Sequence, residues 1–420
     1  MSNFLDFDKL LEKKFTPYII MIFLALMVYS LIYAFGGNFG PTAHNWFNNY
    51  SRQAYSWLGG RLDIPYNRPY LEIAFFGDRM YISFPPFPSI VLLPFVFFWG
   101  YNTPDHIIAL GITLIALVYA YKIALKVVQD KKLAMFFALF LMLGTNHLHI
   151  ALWGAVWYIA QNMAFTLLLI SIYYTLTDKK WHSAISLFAL CASMGCRPFN
   201  ALYLPIIVLL IAQREKEYFL RFVPKLVIYA IPAILLGSFY MWLNYARFGS
   251  VLEFGHNYLP EFVIDHQGQF HPSRIGRNLA MMLFGLDITY PIVNDFPWDG
   301  RTTFALWLAS PMFVSLGVYL VAYLIKRKKS IEESLVIMLI PFLVFLHMFA
   351  FSFHRTLGGR QFGSRYILDA VPMVFLGLLL IVPKFPRVKH MIINFPLMMF
   401  GALINFHGTI MFYNHYFPWH

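Results

Sequence analysis

The groups able to do chemistry in this chain are concentrated in a few polar stretches set between long apolar ones. The densest runs from Asn38 to Pro88, NFGPTAHNWFNNYSRQAYSWLGGRLDIPYNRPYLEIAFFGDRMYISFPPFP, with the acids Asp63, Glu72 and Asp78 and the arginines Arg52, Arg61, Arg68 and Arg79. A carboxylate beside a hydroxyl can take its proton, and an arginine fork can hold a phosphate through two parallel hydrogen bonds. Asp63 and Glu72 lie in polar, aromatic sequence and are the leading candidates for a general base, against salt bridges with the loop arginines. Asp78 follows Gly77, a turn pair, and reads first as a hairpin acid. His44, of a residue type that titrates at about pH 6.5, is a further candidate base beside its reading as a structural histidine. A second cluster, FHRTLGGRQFGSRY, brings Arg355, Arg360 and Arg365 together around paired glycines. Arg365 and Tyr366 open an apolar segment there, and the N-terminus of a helix favours an anion. Arg365 and Arg355 lead as phosphate ligands, followed by Arg360, Tyr366 and Arg197 of CRPFN; pairing with Asp369 or with loop acids is the alternative.

The elements that must position these groups are membrane helices. Of 420 residues, 59% are hydrophobic and only 12% charged, where soluble proteins keep about a quarter charged. The composition predicts an all-α polytopic membrane protein with about eleven spans, since about 20 apolar residues cross a bilayer. The first segment, Pro17 to Gly37, follows Lys13 and Lys14 and has no small-residue cleavage site after it, so it reads as a retained span. The run Ser89 to Trp99 is too short to cross and reads as re-entrant or interfacial. Cys191 and Cys196 read as free thiols. The chain forms one domain, 1–420, with two large loops at 38–103 and 246–302, the first capping the site.

The net charge of +12 does not call for nucleic acid, because its distribution reports topology. The short lysine-rich connections carry 20 of the 32 Lys+Arg and nine acids and read as cytoplasmic; the other side carries 12 arginines and 11 acids. Every lysine falls on the first side, and arginine alone on the second suits planar recognition of phosphate or carboxylate. The charge rule also predicts that Ser183 to Ala212 is a helical hairpin turning at CRPFN, with the N-terminus cytoplasmic and the C-terminus outside the cell membrane.

The stretch GRLDIPYNRPYLEIAFFGDRMYISFPPFPSIVLLPF resembles the first extracytoplasmic loop of bacterial GT-C glycosyltransferases, of the protein-mannosyltransferase-like kind. The resemblance continues in order through RPFNALYLP, NYARFGSVLEFGHNY, SRIGRNLAMMLFG with FPWDGRTTFALWLASP, and GGRQFGSRYILDAVP, and so covers most of the chain. It implies transfer of a sugar from a polyprenyl-phosphate donor to a glycan, lipid or protein acceptor on the outer face, with inversion and a loop carboxylate as base. Many such enzymes carry an acid directly after the first span, where this chain has His44 and Asn45, so the base falls to Glu72 or Asp63, or to His44. Members differ in metal use, which leaves a divalent metal open; His147 and His149 have no carboxylate close in sequence and read as interfacial histidines. A flippase for a lipid-linked sugar, or an inactive scaffold that binds the carrier lipid, are the alternatives.

Overall fold

The computed structural model describes residues 11, 13–68, 71–179, 181–216, 219–264, 267–285, 304–326, 331–358 and 362–416. Among them, seven helices are long and apolar enough to cross a bilayer: Thr16–Phe35, Asp105–Val128, Val156–Thr175, Leu220–Phe248, Ser334–Ser352, Arg365–Lys384 and His390–His415. The four remaining apolar segments form shorter helices, Lys131–Leu143, His182–Met194, Leu204–Glu215 and Met312–Ile325. Lipid offers no hydrogen-bond partners, so an apolar segment at membrane depth satisfies its own backbone by becoming helical. Ser89 to Trp99 lies in one more short helix, Phe87–Trp99, which contains Pro94.

The Arg365–Lys384 helix is the core of the bundle, with 83% of its most apolar window buried, against 6% for Leu220–Phe248 at the periphery. Glycines permit the closest crossings. A Cβ at Gly401 would meet the Gly144 carbonyl oxygen at 2.1 Å, and one at Gly154 would sit 2.5 Å from the Asp105 backbone. Asp105, buried at the head of its span, accepts from Asn45 Nδ2 (2.7 Å) and Ser51 Oγ (2.8 Å) and so moors the first loop to the bundle.

The chain reverses between His182–Met194 and Leu204–Glu215. Asn200 Nδ2 donates to Ser193 Oγ at the turn. At the far end of the returning helix, Arg214 donates to the carbonyls of Tyr174, Thr175 and Thr177 and to Ser183 Oγ. Arg197 therefore sits at the turn, at the opposite end of the hairpin from Arg214.

At the Arg197 end, the two loops fold into a joint cap. The first contributes the helix Asn49–Leu58 and an antiparallel hairpin of β1 (Ile73–Phe76) and β2 (Arg79–Ile82), paired Ile73↔Ile82 through Phe76↔Arg79. Its two-residue turn, Gly77–Asp78, has Gly77 at φ +61°, the geometry of a II′ turn. Ile73 and Ile82 pack with Tyr50 and Ala54 of the helix, while Ala74 and Tyr81 pack on Phe248. The second loop closes over them: Tyr258 stacks on Phe248, Arg247 Nη1 donates to the Ile82 carbonyl (3.1 Å), and Phe270 forms an isolated bridge with His354.

The Gly401 crossing gives a direct test. Gly401→Ala should destabilise the purified protein by about 2 kcal/mol or more, because the obstacle is backbone. Gly237→Ala, whose new methyl would meet only Cys191 Sγ at 3.8 Å, should leave the thermal midpoint unchanged or raise it. Equal midpoints for the two variants would refute the steric account.

Candidate active site

Between bundle and cap lies a cavity of about 880 Å³, the size of a small-molecule site. Among the described residues it is lined by two carboxylates, Glu72 and Glu261, and five arginines, Arg197, Arg274, Arg277, Arg355 and Arg365. Even with Asp369 counted behind Arg197, guanidinium outnumbers carboxylate, so the cavity suits an anionic ligand.

Each group is set by its element. Glu72 immediately precedes β1, and Ser83 Oγ, just past β2, donates to its carbonyl (3.3 Å), so the hairpin base fixes its backbone. Its side chain is oriented by Trp157, whose Nε1 donates to Oε1 at 3.1 Å from the first turn of the Val156–Thr175 helix. Arg197, at the hairpin turn, donates from Nε to Asp369 Oδ2 at 2.8 Å. Gln161 Nε2 holds the other Asp369 oxygen at 2.8 Å, and the carboxylate is 1% exposed. The Tyr366 ring lies 4.8 Å from the Arg197 guanidinium and 5.1 Å from that of Arg365, one phenol ring within reach of two cations.

The arginines divide by their partners. Arg365 is 2% exposed and spends its fork on protein oxygens: Nε and Nη2 on the Gly358 carbonyl, and Nη1 on the Trp157 carbonyl and Gln161 Oε1 (3.3 Å each). It braces the cavity wall. Arg355 is exposed on the rim, donating from Nη1 to the Glu261 carbonyl and from its backbone to Gln269 O (2.9 Å). Arg360 lies outside the described residues.

Of the other acids and histidines singled out by sequence, Asp63, Asp78 and His44 do not line the cavity. Asp63 is gripped by Arg61 (2.7 Å), whose guanidinium holds its carboxyl below the usual range. Asp78 is exposed at the hairpin tip, and His44 is exposed with its ring edge-on to Trp46. His147 and His149 are buried in the bundle: Nε2 of His147 pairs with Asn162 Oδ1 (3.2 Å), and Nε2 of His149 accepts from the Phe362 N–H (3.1 Å). No three His, Cys, Asp or Glu side chains among the described residues converge as metal ligands.

Sequence reasoning had not singled out Glu261, His256, Arg274 or Arg277. All four come from the second loop; His256 stands in NYARFGSVLEFGHNY and Arg274 and Arg277 in SRIGRNLAMMLFG, stretches that carry the family resemblance, and the three-residue spacing of the two arginines puts both on one helical face. Burial pushes the Glu261 carboxyl up, against the pull of Arg355.

The chain shares its fold with ArnT from Cupriavidus metallidurans, solved by crystallography in the apo state: the TM-score is 0.54 at 11% sequence identity, over 94% of this chain and 76% of that one. No family model matches the chain, and no curated protein matches it in sequence.

Two cap histidines make the cap pH-sensitive. Burial pushes His256 down to about 4 and His354 down to about 3, although hydrogen bonds to the Ser83 and Thr356 carbonyls oppose the shift. Both are neutral in the fold and take up protons on unfolding, so their contribution is complete above about pH 6.5 and is lost as pH falls toward 4. Thermal midpoints measured from pH 7.5 to 4.5 should decline below 6.5, by the equivalent of about 2 kcal/mol per histidine at the acid end. His354→Asn should flatten that decline; an unchanged slope would rule out His354 as a source of it.

Proposed function

We propose that this protein is a GT-C-type membrane glycosyltransferase that moves a sugar from a polyprenyl-phosphate donor to an acceptor hydroxyl in the capped cavity. The fold it shares with ArnT, a GT-C glycosyltransferase, supports the class. The observation that carries the reading is the meeting of one indole-oriented carboxylate, Glu72, with an arginine-rich wall in a cavity of substrate size.

In the reaction, the acceptor oxygen attacks the anomeric carbon while Glu72 takes its proton. The carbon–oxygen bond to phosphate breaks, its electron pair going to the phosphate, and the configuration at the sugar inverts. A phosphodiester with one negative charge thus leaves as a monoester with two. Fixed cations at the site of that developing charge lower the barrier, because they need no reorganisation at the moment of reaction. Arg197 fits this role best, since Asp369 and Tyr366 hold it in place at the cavity wall. Arg355 and the second-loop pair Arg274 and Arg277 supply further charge nearer the rim. The absence of lysine from the cap side supports an extracytoplasmic site.

Purified protein with a panel of polyprenyl-phosphate sugars tests this through sugar consumption. Glu72→Gln should lower turnover by about 10²- to 10⁴-fold, the usual worth of a general base. Asp63→Asn and Asp78→Asn should stay within about threefold of wild type, as their carboxyls lie off the cavity. Full activity in Glu72→Gln would remove it as the base, and no consumption of any donor by the wild type would sink the reading as a whole.

A further inference from the structure

Among the described residues, two buried donors on the cavity wall have no partner. Tyr50, second residue of the cap helix Asn49–Leu58, is 2% exposed, and its hydroxyl makes no hydrogen bond. Arg197 Nη2 is in the same condition, although Nε of the same guanidinium is paired with Asp369. Folded proteins rarely leave such groups unmade, because each forfeits its bonds to water without replacement. Both residues line the one cavity together with Glu72, and the Tyr50 phenol lies within the electrostatic reach of both Arg197 and Glu72. Burial holds the phenol well above its ordinary range, so it remains a donor. Two unmet donors on the wall of one cavity, one of them cationic, call for an oxyanion.

We infer that the Tyr50 hydroxyl and Arg197 Nη2 form a two-donor seat for the phosphate oxygens of the substrate, which makes Tyr50 a further catalytic residue. The inference rests on the transfer reaction proposed above. As the sugar–oxygen bond breaks and its electron pair moves to the phosphate, Tyr50 and Arg197 donate hydrogen bonds to the oxygens that gain charge. Tyr50 keeps its proton throughout; the acceptor proton goes to Glu72. The seat joins the first-loop helix to the hairpin turn, so a bound phosphate would tie cap to bundle.

Tyr50→Phe removes one oxygen and leaves the ring packed against Phe84. The full-length wild type and this variant are compared for binding of farnesyl phosphate and farnesol, together with their thermal midpoints. The wild type should prefer the phosphate over the alcohol by at least about 100-fold, and Tyr50→Phe should narrow that preference by about 10- to 100-fold, as expected for the loss of one of two hydrogen bonds to a charged group. Its midpoint without ligand should match or exceed that of the wild type, because the lost hydroxyl satisfied nothing. An undiminished phosphate preference in Tyr50→Phe would overturn the seat while leaving the proposed reaction standing. A lowered midpoint would also overturn it, by revealing a partner within the protein. A wild type that fails to prefer the phosphate would overturn the seat and the donor class together.

Discussion

The buried ion pair between Arg197 and Asp369 is the constraint on which the rest of the site depends. Removing two charges from water costs several kcal/mol per ion, which is recovered only where geometry is good and the remaining polar atoms are satisfied. Here Asp369 receives Arg197 on one oxygen and Gln161 on the other, so three positions far apart in sequence are drawn together. Gln161 Nε2 also reaches the Arg365 carbonyl (2.7 Å), and Arg365 returns a bond to Gln161 Oε1. The turn of the hairpin, the Val156–Thr175 helix and the head of the central helix are thereby locked into one cavity floor. An apolar core of the same volume would pack as well; it would not aim a guanidinium at the cavity.

The cap is organised on a different principle, by hydrogen bonds that end on backbone carbonyls. The hairpin base is gripped at the end of β2, by Arg247 at the Ile82 carbonyl and by His256 Nδ1 at the Ser83 carbonyl (3.0 Å). The second loop is stitched to the segment after Ser352 by Asn278 Nδ2, which donates to the carbonyls of Ser352 and His354, and by the His271 N–H to Phe353 O. Such bonds fix where the backbone runs while leaving the side chains of the accepting residues free. The two loops can therefore vary in the groups they show to a substrate without altering the floor.

The architecture was legible in the sequence because it depends on solvent. Apolar segments long enough to meet lipid had to become helices, and charge placement predicted a reversal at CRPFN, where the chain turns. Gly77–Asp78 was readable as a turn because a II′ hairpin needs a residue at positive φ. The partners of charged groups were not readable, since they are tertiary. The glycines and helix start around Arg365 spell an anion site by local rules, yet its guanidinium closes on carbonyls that the fold brings from Trp157 and Gly358. Glu261 had no local mark, and nothing near Asp105 in sequence points to Asn45 and Ser51 as its partners. Tyr50 was one tyrosine among 26 until the fold put its unpartnered hydroxyl on the same cavity wall as Arg197.

The Leu220–Phe248 helix carries the anchor of the hairpin, Arg247, at its last turn, yet it is the span least covered by protein. Val227, Ile231, Leu235 and Trp242 are exposed along it, so acyl chains meet much of its surface, and tilting is one way such a span accommodates a mismatch between its length and the bilayer. Bilayer thickness is thus a mechanical input to the position of the hairpin, and through it to Glu72. The annular lipid belongs to the scaffold of this cavity as much as any helix does, and the choice of detergent or nanodisc becomes a structural variable.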